Sequence, residues 1–484
     1  MFFRKKASQS LLNRPDLLFN GTDFKAPLPG GRSERFINFD HAATTPPLRP
    51  VIEHVNRCAE WYSSVHRGAG YKSQLTTLAY RNARETLGRF FGLDPAYHVL
   101  LFCGNTTYAV NRIAAHMCNE ENSSSNNVIL CSILEHHSNL LPWLGTKMQV
   151  DHIRAKSPCG MLDLEHLEEQ LKKYAGRVRL VCVTGASNIT GLVPPIAEIA
   201  ALAHEYGARI LVDAAQLVAH RPVKMGKAGS PFCIDFLTFS GHKMYAPFGS
   251  GGLIGPRDFF DRGAPFIKGG GAVDFVELDR VEWTDLPNRE EAGTPNVLGV
   301  LAMAKAAEIL ANLGMEAVAR HEITLMRSLL KGLQTIPEIT VFGGCETIDA
   351  MQRVAVVPLQ SSRYPHAHLA SILGHEWGIG VRNGCFCAQP YTGHLLQVTR
   401  EERAKHLELM KQGDRGELPG FVRISIGLPN TEKDIARLLL ALKTIHAKGP
   451  ELSYRLNRNT GEYEPENAPA HPEVFLRSAG FPSA

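Results

Sequence analysis

Lys243 stands between Ser240-Gly241-His242 and the apolar pair Met244-Tyr245, at the end of an apolar run of strand length, Ile234 to Phe239. A lysine in that setting is short of water, and a desolvated ammonium gives up its proton to become a nucleophilic amine. That is what a Schiff base with a carbonyl compound requires. Upstream, Asp213 closes a second short apolar run, Arg209 to Val212. An acid there suits the carboxylate that keeps a pyridine nitrogen protonated, so that the ring accepts electrons. Both groups fall at the C-terminal ends of strand-like runs, where parallel α/β sheets build their sites. A second chemical centre follows much later: Arg382-Asn383-Gly384-Cys385-Phe386-Cys387-Ala388-Gln389-Pro390. Glycine and the lack of a regular period make it a loop, where reactive groups are presented. Its arginine and two thiols supply a candidate nucleophilic sulfur.

The elements that position these groups can be read from periodicity. Val99 to Cys103 is a buried-strand run, and Gly104-Asn105-Thr106-Thr107 opens a helix from Tyr108 to Met117. Small and hydroxyl residues cap a helix start, and the same geometry aims backbone N–H groups and hydroxyls at an anion. Val128 to Ser132 leads to Glu135-His136-His137-Ser138-Asn139, and Leu180 to Thr184 leads to Ser187-Asn188-Ile189-Thr190-Gly191. The helical pattern from Ile196 to Tyr206 returns the chain to the Asp213 run, a βαβ unit that implies a parallel sheet. Two long helical stretches, Val297 to Leu313 and Gly314 to Ile336, then give way to short strands around Ile339 to Phe342 and Arg353 to Pro358. That alternation marks a smaller C-terminal α/β domain. The expected division is an N-terminal arm over 1–48 packing with the small domain, a large domain over 49–305, a small domain over 306–448 carrying the cysteine loop, and a polar tail over 449–484.

Val212-Asp213-Ala214-Ala215-Gln216, followed by DFLTFSGHKMYAPFGSGGL over 235–253, resembles the signature of class V, fold-type I pyridoxal-phosphate (PLP) enzymes, closest to the cysteine desulfurase and selenocysteine lyase branch. The resemblance runs from about residue 36 to 445. It implies a fold-type I transferase: a large domain with a mainly parallel sheet plus the smaller α/β domain. It also implies that Lys243 carries PLP, that Asp213 holds the ring nitrogen, that Gln216 bonds the phenolic oxygen, and that Ser240 and His242 are further cofactor contacts. Thr106 and Thr107 match the phosphate cradle. His136 matches the residue that lies flat over the ring and shuttles protons, with His137 as its support. Asn188 matches the residue beside the phenolic oxygen and the substrate carboxylate. In the relatives, His66-Arg67-Gly68 reaches the neighbouring subunit's site, and Thr294 of Glu291-Ala292-Gly293-Thr294-Pro295-Asn296 completes its phosphate site, so a homodimer is implied. Arg423 matches the group that grips the substrate α-carboxylate with its planar fork, and Arg382 stands ready to assist both the substrate and Cys387. Alignment on the segment ending Cys387-Ala388-Gln389-Pro390 assigns the persulfide to Cys387 and not to Cys385.

The expected reaction is removal of sulfur from L-cysteine to give L-alanine and an enzyme persulfide that a sulfur-acceptor protein discharges. A class V aminotransferase, an epimerase or a C–S lyase acting on another amino acid, including selenocysteine, is the alternative, with Cys387 incidental. Bulk properties fit a globular enzyme. Hydrophobic residues make up 44% and charged residues 21% of 484, and a net charge of +4 without clustering gives no reason to expect nucleic acid. The ten cysteines are scattered, Cys385 and Cys387 are too close for a CxxC zinc half-site, and no metal is expected. No apolar run reaches membrane-spanning length. The basic start MFFRKKASQSLLNR lacks an apolar core segment, which makes the cytoplasm the expected compartment. The charged stretch between Tyr391 and Gly420 is longer than in the relatives, and is expected to form a short helix covering the site.

Overall fold

A computed structural model of the chain describes residues 15–66, 68–119, 126–344 and 350–467. In chain order its main elements are β1 (Ile37–Asn38), α1 (Tyr71–Phe91), β2 (His98–Cys103), α2 (Thr106–Asn119), β3 (Val128–Ser132), β4 (Gln149–Ile153), β5 (Val178–Thr184), α3 (Ile196–Glu205), β6 (Arg209–Asp213), β7 (Phe236–Ser240) and β8 (Gly251–Pro256). They continue with α4 (Val297–Leu313), α5 (Met315–Leu333), β9 (Ile339–Val341), β10 (Val356–Ser361), α6 (His366–Trp377), β11 (Ile379–Gly380), β12 (Arg382–Gly384), α7 (Arg400–Lys411), β13 (Phe421–Ser425), α8 (Glu432–Lys448), β14 (Tyr454–Asn457) and β15 (Glu462–Pro465).

Seven strands form the central sheet in the order β2-β8-β7-β6-β5-β3-β4, and all are parallel except β8, which runs antiparallel to both neighbours. The apolar runs are continuous because both faces are buried. Successive residues go to opposite cores. Val181, Val183, Ile210 and Val212 face the helices α1, α3 and α4, whereas Leu180, Cys182 and Leu211 face α2, Trp143 and Phe260. Each such fully buried aliphatic side chain contributes about 1.5–3 kcal/mol. In this arrangement the C-terminal ends of β2, β3, β5, β6 and β7 lie along one edge, and the turns that leave them carry the site.

The second sheet, β9-β10-β13-β12, is antiparallel and packs with α5, α6 and α8 around Leu329, Val357, Leu369, Ile424 and Leu438. Ile37 and Phe39 of the N-terminal segment enter this smaller core, and β1 pairs in parallel with β11. Two expectations need correction. The stretch after Gly449 is not all tail: β14 and β15 form a hairpin whose Tyr463 ring stacks on His368 of α6 at 4.4 Å, while Glu376 accepts hydrogen bonds from the N–H groups of Glu451 and Leu452 and from the Tyr454 hydroxyl. Tyr454 and Leu456 alternate along β14, and Tyr463 of β15 stands opposite Leu456. The lengthened segment forms not one helix but two, Gln389–Leu395 and α7. The latter starts on a Thr399–Glu402 capping box and has no fully buried residue. Among the described residues no single helix is long and apolar enough to cross a membrane.

Candidate active site

The turn bearing Lys243, Gly241–Lys243, leaves β7 directly. Gly241 is required there, because a Cβ would meet the Ser250 hydroxyl at 2.8 Å and its carbonyl at 3.0 Å. The N-terminal segment clamps this turn. The His242 carbonyl accepts from the Thr45 N–H and hydroxyl, both at 3.0 Å, and from the Thr44 hydroxyl at 3.2 Å, while the Tyr245 N–H donates to Thr45 Oγ1 at 2.8 Å. His242 Nδ1 lies 3.2 Å from Thr44 Oγ1. Lys243 is half-buried, and its amine lies in the field of Asp213, Arg423, Cys387 and Arg382. Burial pulls it down to about 8; the carboxylate of Asp213 opposes that pull and the charge of Arg423 reinforces it. Asp213 ends β6 and is itself buried, which raises its carboxyl above the usual range even though the Ala215 N–H donates to Oδ1 at 3.0 Å.

Thr106 opens α2 against Ser240, whose hydroxyl accepts from the Thr106 N–H at 2.9 Å and lies 3.0 Å from the Thr106 hydroxyl. Gly251 makes the approach possible, since a Cβ there would meet the Phe239 carbonyl at 2.7 Å and Asn105 Cα at 2.8 Å. The Asn105 side chain caps α2 by accepting from the Tyr108 N–H. Thr107 pairs with Ser138 at 2.7 Å, and Ser138 in turn reaches His136. The Ser138 N–H donates to His136 Nδ1 at 3.1 Å, which places the proton of the neutral ring on Nε2. Burial lowers His136 to about 4, and the charge of Lys243 adds to it, so the ring is neutral. Glu135 anchors this turn as a buried carboxyl. It accepts from the Thr184 N–H at 2.6 Å and from Asn139 Nδ2 at 2.7 Å, and burial pushes it up to about 8.

The cysteine loop closes over these turns. The Cys387 carbonyl accepts from the His137 N–H at 2.8 Å, the Gln389 N–H donates to His137 Nε2 at 3.4 Å, and Asn188 Nδ2 donates to the Phe386 carbonyl at 2.7 Å. Phe386 and Cys387 both have φ of +54°, a left-handed pair that only a closely held loop sustains. Cys387 is exposed, whereas Cys385 is half-buried and burial raises its thiol. The Phe386 ring lies under the guanidinium of Arg423 at 4.5 Å.

Most of the residues expected from sequence therefore converge: Lys243, Asp213, Ser240, His242, Thr106, Thr107, His136, Asn188, Arg382, Arg423 and Cys387. Some engage partners that the sequence does not suggest. Gln216 donates through Nε2 to the Ala42 carbonyl. Arg423 donates to the Asn188 carbonyl at 3.0 Å and to Asp40 Oδ1 at 2.9 Å, and Arg382 donates to Asp40 Oδ2 at 2.9 Å. Asp40, Ser138 and Glu135 were not among the expected site residues. The acid of Phe36-Ile37-Asn38-Phe39-Asp40 and the Ser138 and Glu135 that flank the two histidines were the available signals. His66 is exposed with φ of +73°, its ring edge-on to Tyr80. Thr294 is exposed in the turn before α4, and Arg67 lies outside the described residues. The segment of Thr294 is tethered through buried Glu291, which accepts from the Tyr80 hydroxyl, both Arg84 Nη groups and the Phe102 N–H.

A desolvated lysine opposite a buried acid, hydroxyls at a helix start and two arginines, all at the carboxyl ends of a mainly parallel sheet, define an enzyme site for an amino-acid substrate. Residues 37–438 match the family described as Aminotransferase class-V. A cysteine desulfurase of Klebsiella pneumoniae (strain 342) is 31% identical over 392 residues, covering 80% of this chain and 87% of that protein. The apo cysteine desulfurase of Thermococcus onnurineus NA1 superposes with a TM-score of 0.74 at 28% identity, covering 85% of this chain and 94% of that one. Escherichia coli CsdA, a cysteine desulfurase in S-sulfonic acid form, gives 0.71 at 26% identity over 89% and 99%. The chain belongs to the class-V aminotransferase family, as a cysteine desulfurase-like enzyme.

Proposed function

We propose that the chain is a PLP-dependent enzyme that removes sulfur from L-cysteine, leaving L-alanine and a persulfide on Cys387. The observation that carries the reading is the exposed Cys387, held on a left-handed turn close enough to Lys243 and Arg423 to act on their charges, with its carbonyl bound by the residue next to His136. The donor set fits PLP. Lys243 is a readily deprotonated amine for its covalent attachment, buried Asp213 is a carboxylate that would keep a ring nitrogen protonated, and Ser240, with Thr106 and Thr107 at the start of α2, would offer hydroxyls to its phosphate. His136 supplies a flat neutral ring. Bound PLP provides the electron sink for bond changes at the substrate's α- and β-carbons.

Arg423, with Asn188, binds the substrate α-carboxylate. Lys243 and the Nε2 of His136 move protons. The Cys387 sulfur attacks the substrate sulfur: an S–S bond forms as the C–S bond breaks, the electron pair passes to the carbon side, and protons taken up there yield alanine. A protein thiol then accepts the persulfide sulfur. The exposed His66, whose ring meets Tyr80 edge-on, and the exposed Thr294, three residues after the Glu291 that Tyr80 binds, support a homodimer in which they serve the partner's site. The cytoplasm is the proposed compartment.

Purified enzyme given L-cysteine and a thiol reductant should release sulfide and alanine in equal amounts, and Lys243→Ala should lose both turnover and borohydride-fixed PLP. Normal turnover in Lys243→Ala would refute the proposal.

A further inference from the structure

Asp40 lies between the two arginines of the site and divides its carboxylate between them, Oδ1 on Arg423 Nη2 and Oδ2 on Arg382 Nε, each at 2.9 Å. The Arg423 side chain is 2% exposed, that of Asp40 20% and that of Arg382 52%. A guanidinium as enclosed as Arg423 needs a compensating anion, because an unpaired buried charge is costly. Yet Asp40 satisfies it only in part. It takes one N–H of the fork, and the buried Arg423 Nε has no hydrogen-bond partner among the described residues. A carboxylate on the planar edge of the fork would take two.

We infer that Asp40 is an internal carboxylate that occupies Arg423 while the site awaits substrate and is exchanged for the substrate's α-carboxylate on binding, so that it sets affinity by competition. The inference rests on the proposed reading of Arg423 as the carboxylate anchor. The backbone around Asp40 is fixed without its side chain. Asp40 forms a bridge with Ser425, the Ser425 N–H donates to the Phe39 carbonyl at 2.7 Å, the Ala42 N–H donates to the Ser425 hydroxyl at 3.0 Å, and the Ala43 N–H donates to the Asp40 carbonyl at 3.1 Å. The carboxylate can therefore release Arg423 while the turn that clamps the Lys243 loop stays in place. Arg382, reached through the other oxygen, remains a holding point for Asp40 after the exchange.

The test is Asp40→Asn, which keeps the shape and removes the charge, with Asp40→Glu as the variant that retains it. In the holoenzyme, Asp40→Asn should lower KM for L-cysteine about tenfold, the size of one charge-assisted hydrogen bond, with kcat within about twofold. Calorimetry with 3-mercaptopropionate, which carries the carboxylate and thiol but no amine, should show binding tighter by about the same factor. Inhibition by cysteamine, which lacks the carboxylate, should not move, and Asp40→Glu should bind no tighter than wild type. A raised KM in Asp40→Asn would overturn the inference, since Asp40 would then be holding the arginines in place. Cysteamine weakened as much as 3-mercaptopropionate is tightened would also overturn it, because that is the mark of a general field. Failure of wild type to desulfurate L-cysteine would refute the proposed function alone; the 3-mercaptopropionate comparison still decides the role of Asp40.

Discussion

Asn188 Nδ2 donates to the carbonyl oxygen of Phe386 at 2.7 Å, so a turn that leaves the central sheet holds down the loop that the second sheet supplies. The bond is buried, and the Arg423 guanidinium lies over the Phe386 ring. Asn188→Ala removes this tie. Half-buried Cys385 should then react with iodoacetamide several-fold faster than in wild type, read by mass spectrometry of the alkylated peptide. An unchanged Cys385 rate would mean that the bonds from His137 hold the loop by themselves.

Lys243 gives a pH prediction. Its ammonium is lowered from the ordinary lysine value to about 8, chiefly by burial. Only the unprotonated amine can attach to PLP, so the attachment rate should climb about tenfold per pH unit below 8 and level off above it. The check is borohydride trapping on cofactor-free protein across pH 6 to 10. A rate still rising steeply at pH 10 would contradict the desolvated lysine.

The C-terminal hairpin has a structural task. Glu376 is 2% exposed and takes three donors from Glu451, Leu452 and Tyr454. Truncation after Gly449 strips all three and should cost about 3 kcal/mol or more in chemical denaturation. Glu376→Gln in the truncated chain should recover part of that loss by removing the stranded charge.

The proposed dimer with shared sites makes a complementation prediction. Lys243→Ala and Thr294→Ala chains, each inactive alone, should regain part of wild-type activity after mixing and subunit exchange, since one site of each mixed dimer is then complete. A fully active monomer in size-exclusion chromatography would rule out the shared arrangement.

Much of this was legible in the sequence because strand ends carry the chemistry. Asp213 and Ser240 follow short apolar runs of strand length, and the hydroxyls of Thr106 and Thr107 mark a helix start. What escaped the sequence is long-range or depends on backbone hand. Asp40 meets Arg423 only because β1 crosses to the small domain, a separation that no local pattern encodes. An extended Cys385-Phe386-Cys387 would turn both thiols the same way, but two consecutive left-handed residues instead leave Cys387 exposed and Cys385 half-buried. The hairpin of β14 and β15 was hidden because its few apolar residues sit in polar surroundings and find their partners, His368 and Glu376, on α6.

The proposed transfer of sulfur to Cys387 can be read by mass spectrometry of enzyme treated with L-cysteine and no reductant. The peptide at Cys387 should gain one sulfur, a gain retained in Cys385→Ala and lost in Cys387→Ala, while Cys387→Ala still binds PLP. Added sulfur on Cys385 with Cys387 unmodified, or undiminished alanine formation in Cys387→Ala, would contradict it.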